Sequence, residues 1–178
     1  QAQQLFEDIY SNLSPTEGGS IATADYDADG ELDLLLTGYG QGARRTTLYK
    51  AHKGPSGIVA YTTVETPFVG MNSSAASWGD YDGDGDLDLL LIGNNGSGGV
   101  SKLYRLDKDS GGVISFTDIN APLVAVYISS AAWGDYDGDG DLDILLTGFT
   151  GSTRVSKIYR NDKDQNGVIS FTDIGAPL

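Results

Sequence analysis

Three short acidic segments carry the chemistry that this sequence offers. Segments 25–33, 80–88 and 135–143 each place five carboxylates in nine residues. Carboxylates this close together disfavour one another's ionisation unless a cation neutralises them. The pattern therefore predicts one cation site in each segment. The fifteen candidate ligands are Asp25, Asp27, Asp29, Glu31, Asp33, Asp80, Asp82, Asp84, Asp86, Asp88, Asp135, Asp137, Asp139, Asp141 and Asp143.

The available ligand atoms favour calcium as the cation. Carboxylate and carbonyl oxygens suit Ca²⁺, and the chain has no cysteine to offer a soft ligand to zinc or copper. Within segment 80–88 the alternate aspartates can converge on one point while Gly85 lets the chain reverse direction. The carbonyl of Asp86 and the carboxylate of Asp88 can complete the shell. An EF-hand loop is excluded, because its twelfth position requires an acidic residue and here holds Leu91.

The acidic segments belong to a longer repeated unit. They begin at positions 25, 80 and 135, which are 55 residues apart, and the motif Phe-Thr-Asp-Ile recurs at the same interval at 116–119 and 171–174. A single acidic run is usually a solvated turn. Three copies with the same ligand spacing favour a metal site instead, so the fold and the metal chemistry are encoded by the same unit.

Each unit is predicted to contain four β-strands. In the second unit the extended segments are 75–81, 86–93, 100–106 and 113–120. Turns rich in Gly, Asn, Asp and Ser separate them, which is typical of antiparallel hairpins. Leu87, Leu89 and Leu91 occupy one face of the second segment. Leu90 and Ile92 occupy the other, so we expect a strand buried on both sides. Four short strands at this repeat length predict an all-β fold of β-propeller blades.

The motif around the acidic segments resembles a known family. The residues concerned are Trp78 to Asp88, Trp133 to Asp143, Thr147-Gly148 and 175–178. They resemble the FG-GAP and VCBS-type repeats of integrin α-subunit propellers and of many secreted bacterial proteins. The resemblance implies one Ca²⁺ per blade, with the first, third, fifth and ninth residues of each segment as side-chain ligands. It implies that Glu31, Asp86 and Asp141 contribute main-chain oxygens.

The blade count predicts an incomplete propeller. We divide the chain into an outer strand of a preceding or closing blade at 1–15 and three blades at 16–70, 71–125 and 126–178. The extra strand, Phe6 to Ser11, duplicates the outer strand that the third blade already has. Three blades do not close a ring, so the chain is expected to be a partial propeller or half of a dimeric ring. The apolar residues expected on the exposed flanks of a monomer are Leu34, Leu36, Ile144 and Leu146.

Other candidate sites have weaker support. Segment 162–173 partly matches an EF-hand and would provide a second metal site, although its Asn-Gly pair is typical of a hairpin turn. Trp78 and Trp133 could stack on sugars, but a tryptophan beside a first strand more often belongs to the core. The first unit has Thr23 at that position. His52 is the only histidine, so a Ser-His-Asp arrangement cannot recur in each blade.

Composition narrows the classes of function. The net charge of −14 and the lack of a basic patch argue against binding to nucleic acid. No apolar stretch approaches the roughly 20 residues needed to insert into a membrane. Gln1-Ala2-Gln3 resembles the end left by cleavage of a signal peptide, which favours an extracellular location. Three Ca²⁺ would reduce the net charge from −14 to −8.

We therefore expect a non-catalytic, calcium-binding propeller module for extracellular adhesion or partner binding. Homodimerisation would complete its ring, and a protein or a glycan is expected as its ligand. The alternatives are a carbohydrate-binding propeller and a non-catalytic domain of a secreted enzyme. An enzymatic role is not expected, because the convergent carboxylates are committed to the metal and leave no spare base or nucleophile.

Overall fold

The computed structural model describes residues 12–55, 57 and 59–176. These residues form three four-stranded antiparallel sheets. None of them lies in a helix of the length and apolarity needed to cross a membrane.

Sheet 1 contains β1 (Ile21–Ala24), β2 (Asp33–Gly40), β3 (Ala43–Lys53) and β4 (Val59–Val64). Sheet 2 contains β5 (Asn72–Gly79), β6 (Asp88–Asn94), β7 (Gly99–Lys108) and β8 (Ile114–Asp118). Sheet 3 contains β9 (Tyr127–Gly134), β10 (Asp143–Phe149), β11 (Arg154–Lys163) and β12 (Ile169–Asp173).

The strands of each sheet lie side by side in chain order, as consecutive hairpins require. This confirms the predicted all-β fold of propeller-like blades, and the three blades do not close into a ring. In the second unit all four predicted strands are present, with ends that differ by a few residues. Leu87 precedes β6 instead of lying within it. The strand expected at Phe6 to Ser11 lies outside the described residues.

The three sheets stack face to face with an apolar core at each of the two junctions. We call the face of a sheet that points toward the next sheet along the chain its forward face, and the opposite one its rear face. The first core contains Tyr26, Leu35, Leu48, Met71, Leu89, Leu91, Tyr104 and Leu106. The second contains Tyr81, Leu90, Ile92, Leu103, Val126, Ile144, Leu146, Tyr159 and Phe171. Side chains alternate between faces along each strand, so one strand of sheet 2 supplies both cores.

Sheet 2 lies between the other two, and its second strand is buried on both sides as predicted. All four side chains from Leu89 to Ile92 are fully buried. In sheet 3 the rear face packs on sheet 2, and no other described sheet covers the forward face. Ile144 and Leu146, which we expected to be exposed, are fully buried against sheet 2, whereas Leu145 is 45% exposed. That expectation was wrong because it assigned these residues to the free face of the strand.

Stacked aromatic pairs connect neighbouring sheets. Trp78 lies over Tyr26 with 6.3 Å between ring centroids and 15° between planes. Trp133 lies over Tyr81 in the same way, at 6.4 Å and 8°. Both tryptophans pack against the inter-sheet cores, which confirms the core interpretation. Tyr136, the counterpart of these tyrosines in sheet 3, is 46% exposed, because none of the described residues forms a fourth sheet.

Adjacent residues on opposite faces of β10 provide a test of this packing. Ile144→Ala should lower the free energy of unfolding by about 2–4 kcal/mol, because it removes buried methylenes and leaves a cavity. Leu145→Ala, as the matched control, should lower it by less than about 1 kcal/mol, because its side chain is partly solvated. Urea denaturation of dilute protein measures both values. Equal losses would contradict the assignment of the two faces.

Candidate metal centres

Each acidic segment connects the first and second strands of its sheet and is anchored by its last aspartate. Asp33, Asp88 and Asp143 begin β2, β6 and β10 and are almost fully buried. The Oδ1 atom of each accepts a hydrogen bond from a backbone N–H of the third strand. The donors are Ala51 at 2.8 Å, Leu106 at 2.9 Å and Asn161 at 2.8 Å. The anchor therefore fixes the end of the acidic loop against the middle of the sheet.

The first aspartate of each segment shapes the loop. Asp80 Oδ1 accepts the amides of Gly83 and Asp84 at 2.8 and 3.1 Å, and its Oδ2 accepts the amide of Gly85 at 3.1 Å. Asp135 makes the same three bonds in the third loop. Gly85 has φ of +96°, a conformation that glycine adopts without strain, so the predicted chain reversal is present.

In every loop, three carboxylates converge closely enough to share an ion. One oxygen from each member of a group lies within 4.8 Å of the others. The groups are Asp25, Asp27 and Asp29, then Asp80, Asp82 and Asp88, then Asp135, Asp137 and Asp143. The remaining candidate side chains lie outside these groups. Two of them, Asp84 and Asp139, accept the amides of Asp86 and Asp141 at 2.9 Å.

The environment of these carboxylates disfavours their ionisation. The pKa of Asp88 is raised to about 7, chiefly by burial and also by the charges of Asp82 and Asp84, against two backbone hydrogen bonds that lower it. The pKa of Asp82 is raised by burial and by Asp84. The pKa of Asp137 is raised by desolvation, then by Asp139 and by Asp143. A carboxyl whose pKa rises on folding destabilises the fold as the pH increases toward that value, unless a cation pairs with it.

The first loop contains an internal cation that the sequence pattern did not predict. The Lys50 ammonium contacts Asp27 and lies 2.7 Å from Asp29 Oδ2. Its hydrogen bond holds the pKa of Asp29 below the usual value. Lys50 therefore neutralises part of the charge that a metal would otherwise neutralise.

The counterparts of Lys50 in the other sheets form ion pairs with an aspartate of their own strand. Arg105 pairs with Asp107 at 2.9 Å, and Arg160 pairs with Asp162 at 2.8 Å. The first unit has His52 where the others have these aspartates. The acceptor two residues downstream is thus missing in sheet 1, and this difference was the available sequence signal for the altered loop.

Oxygen atoms without partners indicate where a cation fits. Among the described residues, Asp27 Oδ1 and Asp33 Oδ2 are buried and have no hydrogen-bond donor. Leaving such an oxygen unpaired costs about 1–3 kcal/mol, and more when it is charged. A hard cation coordinated by these oxygens would remove the penalty, so the donor set fits Ca²⁺.

Lysines from the following sheet contact the first two loops. Lys108 Nζ donates to the carbonyl oxygen of Asp27 at 2.8 Å, and Lys163 Nζ donates to that of Asp82 at 3.0 Å. We call Lys108 and Lys163 the bridging lysines. Each links the third strand of one sheet to the acidic loop of the preceding sheet. The repeated Asp-Lys-Asp sequences at 107–109 and 162–164 were a signal for this contact that sequence reasoning missed.

Segment 162–173 does not gather a second set of ligands. Asp164 Oδ1 accepts the amides of Asn166 and Val168, both at 2.8 Å, and so closes a hairpin turn. Asp173 pairs with Lys157 at 2.8 Å. Within the described part of this segment, no group of three metal-ligating side chains forms.

Comparisons with known proteins identify the repeat. A model of the FG-GAP-like repeat matches residues 25–91 and again residues 80–146, which together cover more than half of the chain. The chain is 26% identical to cartilage acidic protein 1 of Homo sapiens over 170 residues. That alignment covers 89% of this chain and 25% of the relative, so the chain spans about a quarter of the relative's length. No solved structure matches significantly.

The first loop should bind calcium more weakly than the other two, because Lys50 competes with the ion. Lys50→Gln should tighten that site by roughly tenfold, as expected when a nearby like charge is removed from a partly solvated site. Calorimetric calcium titration of the wild type and the variant resolves the difference. Lys157→Gln, which changes the same charge away from the loops, is the control and should alter no site. Equal affinities in Lys50→Gln and wild type would contradict the competition.

Proposed function

The chain belongs to the FG-GAP-like repeat family, and from this we propose that it is a non-catalytic, calcium-stabilised propeller module for adhesion or partner binding outside the cell. The observation that carries the proposal is that three carboxylates converge in the loop between the first and second strands of each of the three sheets. Independent solvated turns would have no reason to converge in this way three times.

The role assigned to calcium is structural. In the proposed site each ion is held by the first, third, fifth and ninth residues of a segment, with the main-chain oxygens of Glu31, Asp86 and Asp141 completing the shells. The anchoring aspartates Asp88 and Asp143 belong to the carboxylate groups and also bond to the third strand. An ion would therefore connect the loop to the interior of the sheet.

Weak calcium sites are sufficient for such a role. Extracellular calcium modules bind with Kd of roughly 10⁻⁴ to 10⁻³ M. At about 1 mM calcium and a Kd near 0.1 mM, one ion adds about 1.4 kcal/mol to the free energy of unfolding. Several such ions contribute a considerable fraction of the stability of a typical domain. The similarity to a protein named for cartilage supports the proposed extracellular location.

A protein partner is favoured over a glycan. The carbohydrate-binding alternative depends on Trp78 and Trp133 offering open stacking surfaces. Both rings instead stack on tyrosines between sheets. We assign the acidic residues to metal binding and not to acid–base chemistry, because the same side chains shape and anchor the loops.

Substitutions within one loop test the proposed coordination. Asp82→Ala should remove one bound ion, because its carboxylate belongs to the converging group. Asp86→Ala should leave the stoichiometry unchanged, because only its carbonyl is assigned to the metal. Calcium counting by atomic emission after equilibrium dialysis measures both variants, and Asp137→Ala with Asp141→Ala repeats the comparison in the third loop. Loss of an ion in Asp86→Ala, or its retention in Asp82→Ala, would contradict the assignment.

A further inference from the structure

The forward face of sheet 3 is apolar and uncovered. Its residues Tyr136 and Leu145 are the counterparts, 55 positions later, of Tyr81 and Leu90. In sheet 2 those residues are 5% and 0% exposed because sheet 3 covers them, whereas Tyr136 and Leu145 are 46% and 45% exposed. The same surface that forms an interface in sheet 2 is therefore presented to solvent in sheet 3.

The rear face of sheet 1 is the matching half of that interface. Leu34 and Leu36 lie on this face and are only half-buried. Their counterparts Leu89 and Leu91 are fully buried against sheet 1. Ile21, which pairs with Leu36 across β1 and β2, is 68% exposed. Among the described residues, no sheet covers the forward face of sheet 3 or the rear face of sheet 1.

We propose that a second copy of this chain covers both faces, with the forward face of sheet 3 of one molecule docked on the rear face of sheet 1 of the other. The two surfaces are the halves of an interface that the chain already forms twice within itself. A head-to-tail contact closes when the rotation per blade completes a circle. Two copies would supply six blades, within the size range of closed propellers.

A polar contact between the two copies would match the one that the bridging lysines make within the chain. Lys53 ends β3, is exposed, and occupies the position of the bridging lysines. In the third acidic loop, the carbonyl of Asp137 is the counterpart of the carbonyls that those lysines contact in the first two loops. Docking of a second copy places Lys53 where it can donate to this carbonyl. The junction would then reproduce both the apolar core and the polar link of the internal interfaces.

One departure makes the junction between copies weaker than the internal ones. Thr23 stands on the rear face of sheet 1, where the later units have a tryptophan stacked on a tyrosine of the preceding sheet. Tyr136 would therefore meet a threonine instead of an indole. Restoring the aromatic residue with Thr23→Trp should strengthen association, which provides a gain-of-function test.

Sedimentation equilibrium of the full chain in millimolar calcium, over a concentration series, tests the proposal. The wild type should approach twice the monomer mass of 18.7 kDa. Leu145→Arg should raise the dimer dissociation constant by at least about tenfold, as expected for a charge placed in an apolar interface. Thr23→Trp should lower the constant by roughly tenfold through the added aromatic contact. Val113→Arg, which alters an exposed aliphatic residue away from both faces, is the matched control and should leave the constant unchanged.

Several outcomes would overturn the proposal. A wild type and a Thr23→Trp variant that both remain monomeric at high protein concentration would show that a copy does not cover these faces. They would point to a different occupant, such as a further repeat of a longer polypeptide. A series of species that grows beyond the dimer would contradict ring closure. Circular dichroism of Leu145→Arg establishes that the variant is folded, and Lys53→Ala, which leaves the apolar faces intact, should weaken association in the same direction.

Discussion

Mutual repulsion among the carboxylates of each acidic segment is the constraint on which the rest of this structure depends. The segments place fifteen of the 25 acidic residues of the chain at the first hairpin of each sheet. The last aspartate of each segment is buried, and its carboxylate accepts a hydrogen bond from the third strand. This carboxylate cannot turn toward solvent without losing that bond. Burial raises the pKa of Asp88 to about 7, which shows how strongly the folded loop disfavours an unpaired anion. A bound cation relieves this repulsion while leaving the anchor in place.

Stacking of the sheets links the loops to one another. Each sheet contributes alternate side chains to two junctions, and the bridging lysines join the loop of one sheet to the third strand of the next. A change in one loop can therefore affect the packing of the neighbouring sheet. In the part of the chain that the structure describes, sheets 1 and 3 each pack against one neighbouring sheet, and sheet 2 packs against two.

The repeat made much of this fold predictable from sequence. Where the structure differs from the prediction, contacts between particular side chains account for the difference. The 55-residue interval and the alternation from Leu89 to Ile92 indicated the strands, their hairpins and the doubly buried centre of sheet 2. The same alternation did not indicate which face of β10 packs against sheet 2. Ile144 was therefore assigned to the solvent-exposed face, which in the structure carries Leu145. Lys50 was missed because its position over the acidic loop depends on the absence of an aspartate at position 52. These contacts depend on tertiary packing, which a one-dimensional pattern does not record.

The central claim is that calcium offsets the charge of the acidic loops and thereby stabilises the fold. Thermal unfolding in millimolar calcium, compared with excess EGTA at matched ionic strength, measures this most directly. Two ions at about 1.4 kcal/mol each, with a weaker third ion in the first loop, would add roughly 3 kcal/mol. For a chain of this size, their removal should lower Tm by on the order of 10 °C. Restoring calcium should reverse the change. An unchanged Tm in EGTA would contradict the account.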